Sequence, residues 1–115
     1  MAKDYTPSAA NRAAYEKLSD AQVVGTVPPQ AVELEEAVLG ALMLERDSII
    51  AVQEYVRPET FYTEEHQLIY RAIESLSAEL KPIDLYTVTE RLRSRKELKK
   101  VGGASYLATL TQKVG

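Results

Sequence analysis

The stretch ELEEAVLGAL, residues 33 to 42, decides the fold, because its apolar residues recur with a helical period. Positions 34, 37, 38, 41 and 42 follow the spacing i, i+3, i+4, i+7 and i+8, which places them on one face of a helix. Pro28 and Pro29 precede the stretch, and a proline suits the first turn of a helix. Gly40 lies inside the pattern, where glycine costs about 1 kcal/mol relative to alanine, so we expect another helix to approach closely there.

Capping residues and prolines predict where the next elements begin and end. Asp47 or Ser48 can cap a second helix that extends to Val56. The pair Arg57-Pro58 ends that helix, because a proline disfavours helical backbone at the residue before it. The residues that follow predict a short helical turn that places Phe61 in the core.

The third and fourth helices carry the clearest local signals. The third begins at Thr63, which is placed as its cap, runs for roughly 16 residues and is closed by Lys81-Pro82. Its predicted apolar face consists of Leu68, Ile69, Ala72, Ile73, Leu76 and Leu80. Asp84 is placed as the N-cap of the fourth helix, and Ile83 and Val88 are spaced as a hydrophobic staple. We expect this helix to continue to about Ser94.

The C-terminal part of the chain completes the prediction of an all-α fold. Val101-Gly102-Gly103 breaks the chain, and Tyr106, Leu107 and Leu110 mark a fifth, short helix. No convincing run of alternating apolar and polar residues predicts a strand. We therefore predict a compact bundle of five to six short helices joined by short loops.

Composition indicates one small domain with an extension before it. The 115 residues are 45% hydrophobic and 27% charged, which is sufficient for a hydrophobic core. Residues 1–27 contain few large aliphatic side chains, so we predict a flexible N-terminal extension there and a helical domain over residues 28–115. No apolar run approaches the roughly 20 residues of a membrane span, and no secretory signal is visible, so we expect a cytoplasmic protein.

The sequence predicts no catalytic, cofactor-binding or metal-binding residue. It has no cysteine, and its single histidine, His66, has no nucleophile or second histidine at a catalytic spacing, so we expect a helical or capping role. Gly102-Gly103 does not belong to a phosphate-binding loop of the form GxxxxGK(S/T), so we expect no ATP hydrolysis by this chain. Carboxylates cluster at two predicted helix starts, where the helix dipole stabilises negative charge: Glu33, Glu35, Glu36, Glu64 and Glu65.

One basic segment stands out in an acidic chain. Residues 91–100 carry six positive charges against Glu97 alone, and with a total charge of −3 the rest of the chain carries −8. The segment is compatible with a solvated helix end, with a contact to an acidic protein surface or with a contact to nucleic acid. No aromatic residues for base stacking are interleaved with it. The candidate partner-binding residues of the segment are Arg91, Arg93, Arg95, Lys99 and Lys100.

Tyrosine is the prevailing aromatic residue, with seven Tyr against one Phe and no Trp. Because a tyrosine has an apolar ring and a polar hydroxyl group, it suits core edges and interfaces. We expect Tyr62, Tyr70 and Tyr106 to be half-buried at core edges. Tyr106 follows the basic segment and the glycine break, so we add it to the candidate partner-binding residues.

Five strings of the sequence resemble the N-terminal domain of DnaB-type replicative DNA helicases. The opening of that domain is similar to PPQ at residues 28–30 and ELEEAVLG at 33–40. FYTEEHQLIY at 61–70 resembles the family's FYxxxHxxI stretch, and PIDLYTV at 82–88 resembles its PxDLxTV segment. VGGASYL at 101–107 is similar to its GGxxYL element. Each string alone is weakly specific, but together and in this order they identify the family.

The resemblance implies that the chain is part of a larger enzyme. Members of the family are hexameric, ATP-driven motors that move on single-stranded DNA, and their phosphate-binding loop, ATP and magnesium belong to a motor domain after a linker. Their N-terminal domain also has a long helical hairpin after its globular part, and this sequence stops at Gly115, before it. We therefore expect a head subdomain that is not itself an enzyme, and its own oligomeric state stays open.

The implied task is assembly and recruitment at the replication fork. In the family these domains form a collar above the motor ring and receive the C-terminal helicase-binding domain of primase. The implied partners are therefore primase, other helicase subunits and, through the full-length protein, DNA.

Two alternatives stay open. A direct single-stranded DNA-binding module would use the basic segment 91–100, and its affinity would fall steeply as salt rises. A small stand-alone enzyme would need a nucleophile, a base such as His66 and oxyanion donors in one cleft.

Overall fold

The computed structural model describes residues 29–45 and 47–114, which form five α-helices and no strand. The helices are α1 (Pro29–Leu44), α2 (Ser48–Val52), α3 (Glu64–Ala78), α4 (Leu85–Ser94) and α5 (Gly103–Gln112), with a 3-10 turn at Pro58–Thr60. The all-α prediction is thereby confirmed. The predicted extension at residues 1–27 lies outside the described residues.

The core is one cluster of apolar side chains to which every helix contributes. α1 packs against α3 and α5, and α4 packs against α3 and α5, so the four longer helices enclose the cluster. Phe61 and Tyr70 are its largest members, with ring centroids 5.0 Å apart. Phe61 is buried directly after the 3-10 turn, as the sequence predicts. Of the helices in the described part of the chain, none is both long and apolar enough to cross a membrane.

Gly40 lets two helices meet at the main chain. A Cβ atom on this residue would lie 2.0 Å from the carbonyl oxygen of Leu110 in α5 and 3.0 Å from Cγ2 of Val114. Any side chain would therefore push α5 away from α1. The close approach predicted at Gly40 is confirmed, and the approaching element is α5.

The N-caps of α3 and α4 form as the sequence predicts. The side chain of Thr63 accepts a hydrogen bond from the amide of His66 at 3.1 Å, which caps α3. In α4 the carboxylate of Asp84 accepts from the amide of Thr87, and the hydroxyl of Thr87 accepts from the amide of Asp84, both at 2.9 Å. These reciprocal bonds satisfy amides that would otherwise lack a partner in the first turn.

The ends of α3 and α4 share one geometry, and it overturns the prediction that Leu80 belongs to the apolar face of α3. Leu80 has φ 59° and Lys96 has φ 60°, both left-handed. The amides of Lys81 and Glu97 then bond back to the carbonyls of Leu76 and Leu92, which is the Schellman arrangement. Because the chain reverses at this point, the side chain of Leu80 is directed outward and is 93% exposed.

The second helix is shorter than predicted. It ends at Val52, and Gln53, Glu54 and Tyr55 form turns. Arg57 has extended backbone angles, as expected before a proline, so no helix continues through it. Asp47 occupies the N-cap position without a capping hydrogen bond, while the hydroxyl of Ser48 donates to the carbonyl of Glu45 at 2.9 Å.

Candidate functional site

Four cations of the basic segment lie together where α4 turns towards α5. Arg95, Lys96, Lys99 and Lys100 are exposed, and none of them forms a salt bridge with a described residue. Their charges are therefore available to a partner. We call these four residues the basic turn.

Arg91 stands apart from the basic turn, because its side chain is engaged within the domain. Its guanidinium donates to both carboxylate oxygens of Glu79 at 2.7 and 2.8 Å and to the hydroxyl of Ser75 at 2.8 Å, and the side chain is 14% exposed. The bonds to Glu79 raise the pKa of Arg91. They also lower the pKa of Glu79 to about 2, with a further hydrogen bond from Lys81. Arg91 thus holds α4 against the end of α3.

Arg93 is exposed but already paired. Its guanidinium donates to the carboxylate of Glu90, three residues earlier on the same helix. Such an exposed pair within one helix contributes about 0.3–0.5 kcal/mol, so a partner can displace it at low cost. Arg93 is therefore a weaker candidate for partner contact than the members of the basic turn.

Tyr106 is separated from the basic turn by its place in a polar network at the core edge. Its hydroxyl group donates to Oε2 of Glu36 at 2.9 Å and lies 2.7 Å from Nε2 of His66. Burial, and next the hydrogen bond to Glu36, raise the pKa of Tyr106, so its phenol keeps its proton. Gly102 makes room for this ring, since a Cβ on Gly102 would lie 2.9 Å from Cβ of Tyr106. The hydroxyl of Tyr106 is thus used inside the domain.

The network continues into the core through Glu35, whose role the sequence reasoning missed. Its carboxylate is 1% exposed and accepts from the amide of Tyr62 at 2.7 Å, and its other oxygen lies 2.6 Å from Nδ1 of His66. The expectation that the helix dipole accounts for Glu35 is wrong, because α1 begins at Pro29 and has no acidic residue in its first turn. Glu35 is instead a buried partner of a histidine.

His66 is more than a residue of the α3 N-terminus. Its amide donates to the Thr63 cap as expected of a first-turn residue, but its ring is 2% exposed and bonded at both nitrogens. A signal for this pair exists in the sequence. Glu35 stands four residues before Leu39, and His66 stands four residues before Tyr70, so each polar residue occupies a core position of its helix.

Tyr106 is half-buried as expected, whereas Tyr70 and Tyr62 depart from that expectation. Tyr70 is fully buried, and its hydroxyl donates to the carbonyl of Val56 at 2.7 Å, which satisfies its polar atom inside the core. Tyr62 is 64% exposed, because the neighbouring Phe61 fills the core instead. Among the described residues, no group of histidines, aspartates or glutamates could hold a metal ion.

Comparisons with known proteins lead to one family. Residues 27–115 match the model of the DnaB-like helicase N terminal domain. The replicative DNA helicase DnaB of Rhodothermus marinus is 50% identical over 93 residues, which cover 81% of this chain and 10% of that protein. The replicative DNA helicase DnaB of Geobacillus stearothermophilus is 40% identical over 88 residues, which cover 76% of this chain and 19% of that protein.

A solved structure agrees with these matches. The crystal structure of the N-terminal domain of DnaB helicase from Mycobacterium tuberculosis superimposes with a TM-score of 0.73 at 42% sequence identity. The similarity covers 77% of this chain and 62% of that one. The chain thus spans only a small part of the length of its curated relatives, at 10% and 19% of the two named above.

Proposed function

Since the chain belongs to the family of DnaB-like helicase N-terminal domains, we propose that it is the non-catalytic collar and interaction domain of a hexameric, ATP-dependent replicative DNA helicase. In this role it supports ring assembly and recruits primase at the replication fork, in the cytoplasm. The observation that carries the proposal is the family match over residues 27–115, together with relatives named as replicative DNA helicases.

The chemistry of the described residues is consistent with binding rather than catalysis. The one histidine is enclosed between a carboxylate and a phenol whose pKa is raised, so neither ring nitrogen faces solvent as a free base. In this proposal ATP and magnesium belong to the motor domain of the longer protein. The head domain contributes fixed helical surfaces and a local excess of positive charge.

The basic turn is the surface that we propose for primase. Four exposed cations that make no salt bridge with the described residues favour a partner with an acidic surface, and the C-terminal helicase-binding domain of primase is the partner that the resemblance implies. Arg93 adds a charge once its bond to Glu90 is displaced. Arg91 and Tyr106 would act by holding α4 and α5 in place.

Titration of the primase domain against charge-reversed variants tests this surface. Lys99→Glu and Lys100→Glu are expected to weaken binding and to reduce its salt dependence, because both effects depend on opposite charge across the contact. Arg71→Glu is the matched control, since Arg71 is an exposed cation of α3 with a loose 3.7 Å pair to Glu59. The titration uses the full-length helicase with and without both substitutions, Lys99→Glu and Lys100→Glu. Equal affinity of the two proteins for the primase domain would contradict the assignment of the basic turn as the primase-binding surface.

The four cations of the basic turn also support the alternative that this surface binds single-stranded DNA. Four phosphate contacts on a single strand would give a plot of log affinity against log salt with a slope of about −2.8. Fluorescence anisotropy of a labelled oligonucleotide at low salt measures this slope directly. A slope that falls to about −1.4 in the Lys99→Glu and Lys100→Glu double variant, which removes two of the four contacts, supports the alternative, and no binding at low salt dismisses it.

A further inference from the structure

The ring of His66 lies between α1 and α5 with a polar partner at each nitrogen. Nδ1 is 2.6 Å from Oε1 of Glu35, and Nε2 is 2.7 Å from the hydroxyl oxygen of Tyr106. The two rings are stacked, with their planes 7° apart. The hydroxyl of Tyr106 also donates to Oε2 of Glu36 at 2.9 Å. This hydroxyl therefore has two partners and a single proton.

Counting protons along this chain of bonds decides which atoms donate. If Tyr106 gives its proton to Glu36, then Nε2 of His66 has to supply the proton of the bond between His66 and Tyr106. An ionised carboxylate accepts only, so Nδ1 has to supply the proton of the bond to Glu35. All three bonds exist together when the ring carries both protons. A neutral ring protonated at Nδ1 would instead make Tyr106 choose between His66 and Glu36.

The charges in this part of the domain favour the same arrangement. The carboxylate of Glu35 is 1% exposed, and an unpaired carboxylate at that depth is strongly unfavourable. Glu36 is paired with Lys113, whose Nζ lies 3.3 Å from Oε1. A charged His66 balances Glu35 in the same way. The 2.6 Å separation is also short, as expected of a bond between two ionised groups.

Two neighbouring groups complete the surroundings of the ring. Tyr106 faces it from α5, and because the pKa of Tyr106 is raised, its hydroxyl supplies no negative charge of its own. Glu65 lies next to His66 on α3, is exposed and adds negative charge near Tyr106. The negative group that contacts the ring is thus Glu35 of α1, and the cation Lys113 is engaged by Glu36.

We propose that His66 is a positively charged double donor at neutral pH and that its proton fastens α5 to α1 and α3. Release of that proton breaks one of the two bonds made by the Tyr106 hydroxyl. The attachment of α5, which carries Tyr106 and follows the basic turn, then weakens. The head domain would accordingly contain a contact between helices that depends on the protonation of His66, and this contact is independent of any role in recruitment.

Nuclear magnetic resonance of the chain labelled with nitrogen-15 histidine tests this directly. The sequence has one histidine, so both ring-nitrogen signals belong to His66 without further assignment. Near pH 7 we expect both nitrogens to carry a proton. A neutral ring protonated at Nδ1 alone overturns the proposal, and so does a ring protonated at Nε2 alone, which would place the other proton on Glu35.

A second measurement tests the link to stability and uses His66→Gln. The proton stabilises the fold fully where histidine of the unfolded chain is also protonated, below about pH 6.5, and this contribution is lost as the pH rises further. The urea midpoint of the parent chain should therefore exceed that of His66→Gln most at low pH, and the gap should narrow as the pH rises and the ring loses its proton. A constant gap overturns the link. If the variant does not fold, the resonance experiment on the unaltered chain still decides the protonation.

Discussion

Gly40 is the residue at which two helices of this domain touch through their backbones. The space that a Cβ would need is occupied by the carbonyl oxygen of Leu110, 2.0 Å away. Main-chain atoms cannot turn aside as the end of a flexible side chain can. The contact therefore tolerates hydrogen at position 40 and nothing larger.

The variant Gly40→Ala is expected to destabilise the domain although alanine favours helices. Overpacking costs about 1–3 kcal/mol, and because the atom in the way is a main-chain oxygen we expect the upper end, which exceeds the gain of about 1 kcal/mol in helix propensity. Urea unfolding followed by circular dichroism measures the difference. A variant as stable as the parent chain would contradict the close approach of α1 and α5.

Glu79 gives the domain a defined sensitivity to acid. Hydrogen bonds from Arg91 and Lys81 lower its pKa from 4.5 to about 2, so it binds a proton more weakly in the folded chain than in the unfolded one. Its contribution to stability is therefore present above pH 4.5 and is lost as the pH falls towards 2. We expect Glu79→Gln to flatten this part of the stability profile.

Urea midpoints at a series of acidic pH values provide the measurement. Glu59→Gln is the control, since Glu59 is exposed and its pair with Arg71 is loose at 3.7 Å. An unchanged acid profile in Glu79→Gln, with the control also unchanged, would show that the bond to Arg91 does not form in solution.

Among the secondary-structure elements, α3 and α4 both end on a left-handed residue that is not glycine. Left-handed backbone costs a residue with a Cβ about 1–2 kcal/mol, whereas glycine adopts it freely but loses about 0.5–1 kcal/mol more backbone entropy on folding. Leu80 is in addition almost fully exposed, so it contributes little to the core in return. The end of α3 is thus a place where the sequence is not optimal for stability.

Leu80→Gly is expected to stabilise the domain by about 0.5–1 kcal/mol, and Lys96→Gly should act in the same direction for α4. Thermal unfolding followed by circular dichroism measures both. Ala78→Gly is the opposing control, because Ala78 is the last helical residue of α3 and glycine lowers helix propensity there. Loss of stability in Leu80→Gly would show that the left-handed turn is absent.

Local signals account for how well the helices could be predicted from the sequence. Thr63 and Asp84 cap the elements that they were expected to cap, because a capping bond joins residues only three positions apart. Leu80 was assigned to the wrong environment, since helical periodicity cannot register that the chain reverses two residues after Ala78. The apolar periodicity predicted the helices, whereas the backbone geometry after the last helical turn determined where the side chains at the helix ends lie.

On the scale of the whole molecule, the basic segment divides into two kinds of cation. Arg91 holds α4 to α3, whereas Lys99 and Lys100 of the basic turn make no salt bridge with the described residues. Their sequence neighbourhood could not distinguish these roles, because Glu79 is 12 residues away from Arg91 along the chain. The same limitation hid the network of Glu35, His66 and Tyr106, whose members are 31 and 40 residues apart.

This division predicts that folding and partner binding respond to different cations. The double variant Lys99→Glu and Lys100→Glu should unfold within about 0.5 kcal/mol per substitution of the parent chain, as exposed residues usually do. Arg91→Met should be less stable, since Glu79 and Ser75 then lose the hydrogen bonds that Arg91 donates to them. Urea unfolding measures the free energy of unfolding of both variants. If the double lysine variant were the less stable of the two, the assignment of Arg91 to holding α4 against α3 would be contradicted.

The contact between Gly40 and Leu110 also determines how early during translation the domain can fold. About 70 residues separate the two positions, so at about 5–20 residues per second the ribosome needs about 4–14 s to produce the second after the first. Throughout that interval the nascent first helix lacks the neighbour that covers its glycine face. α5 therefore completes the packing of α1, and the domain can reach its native state only after both helices have been translated.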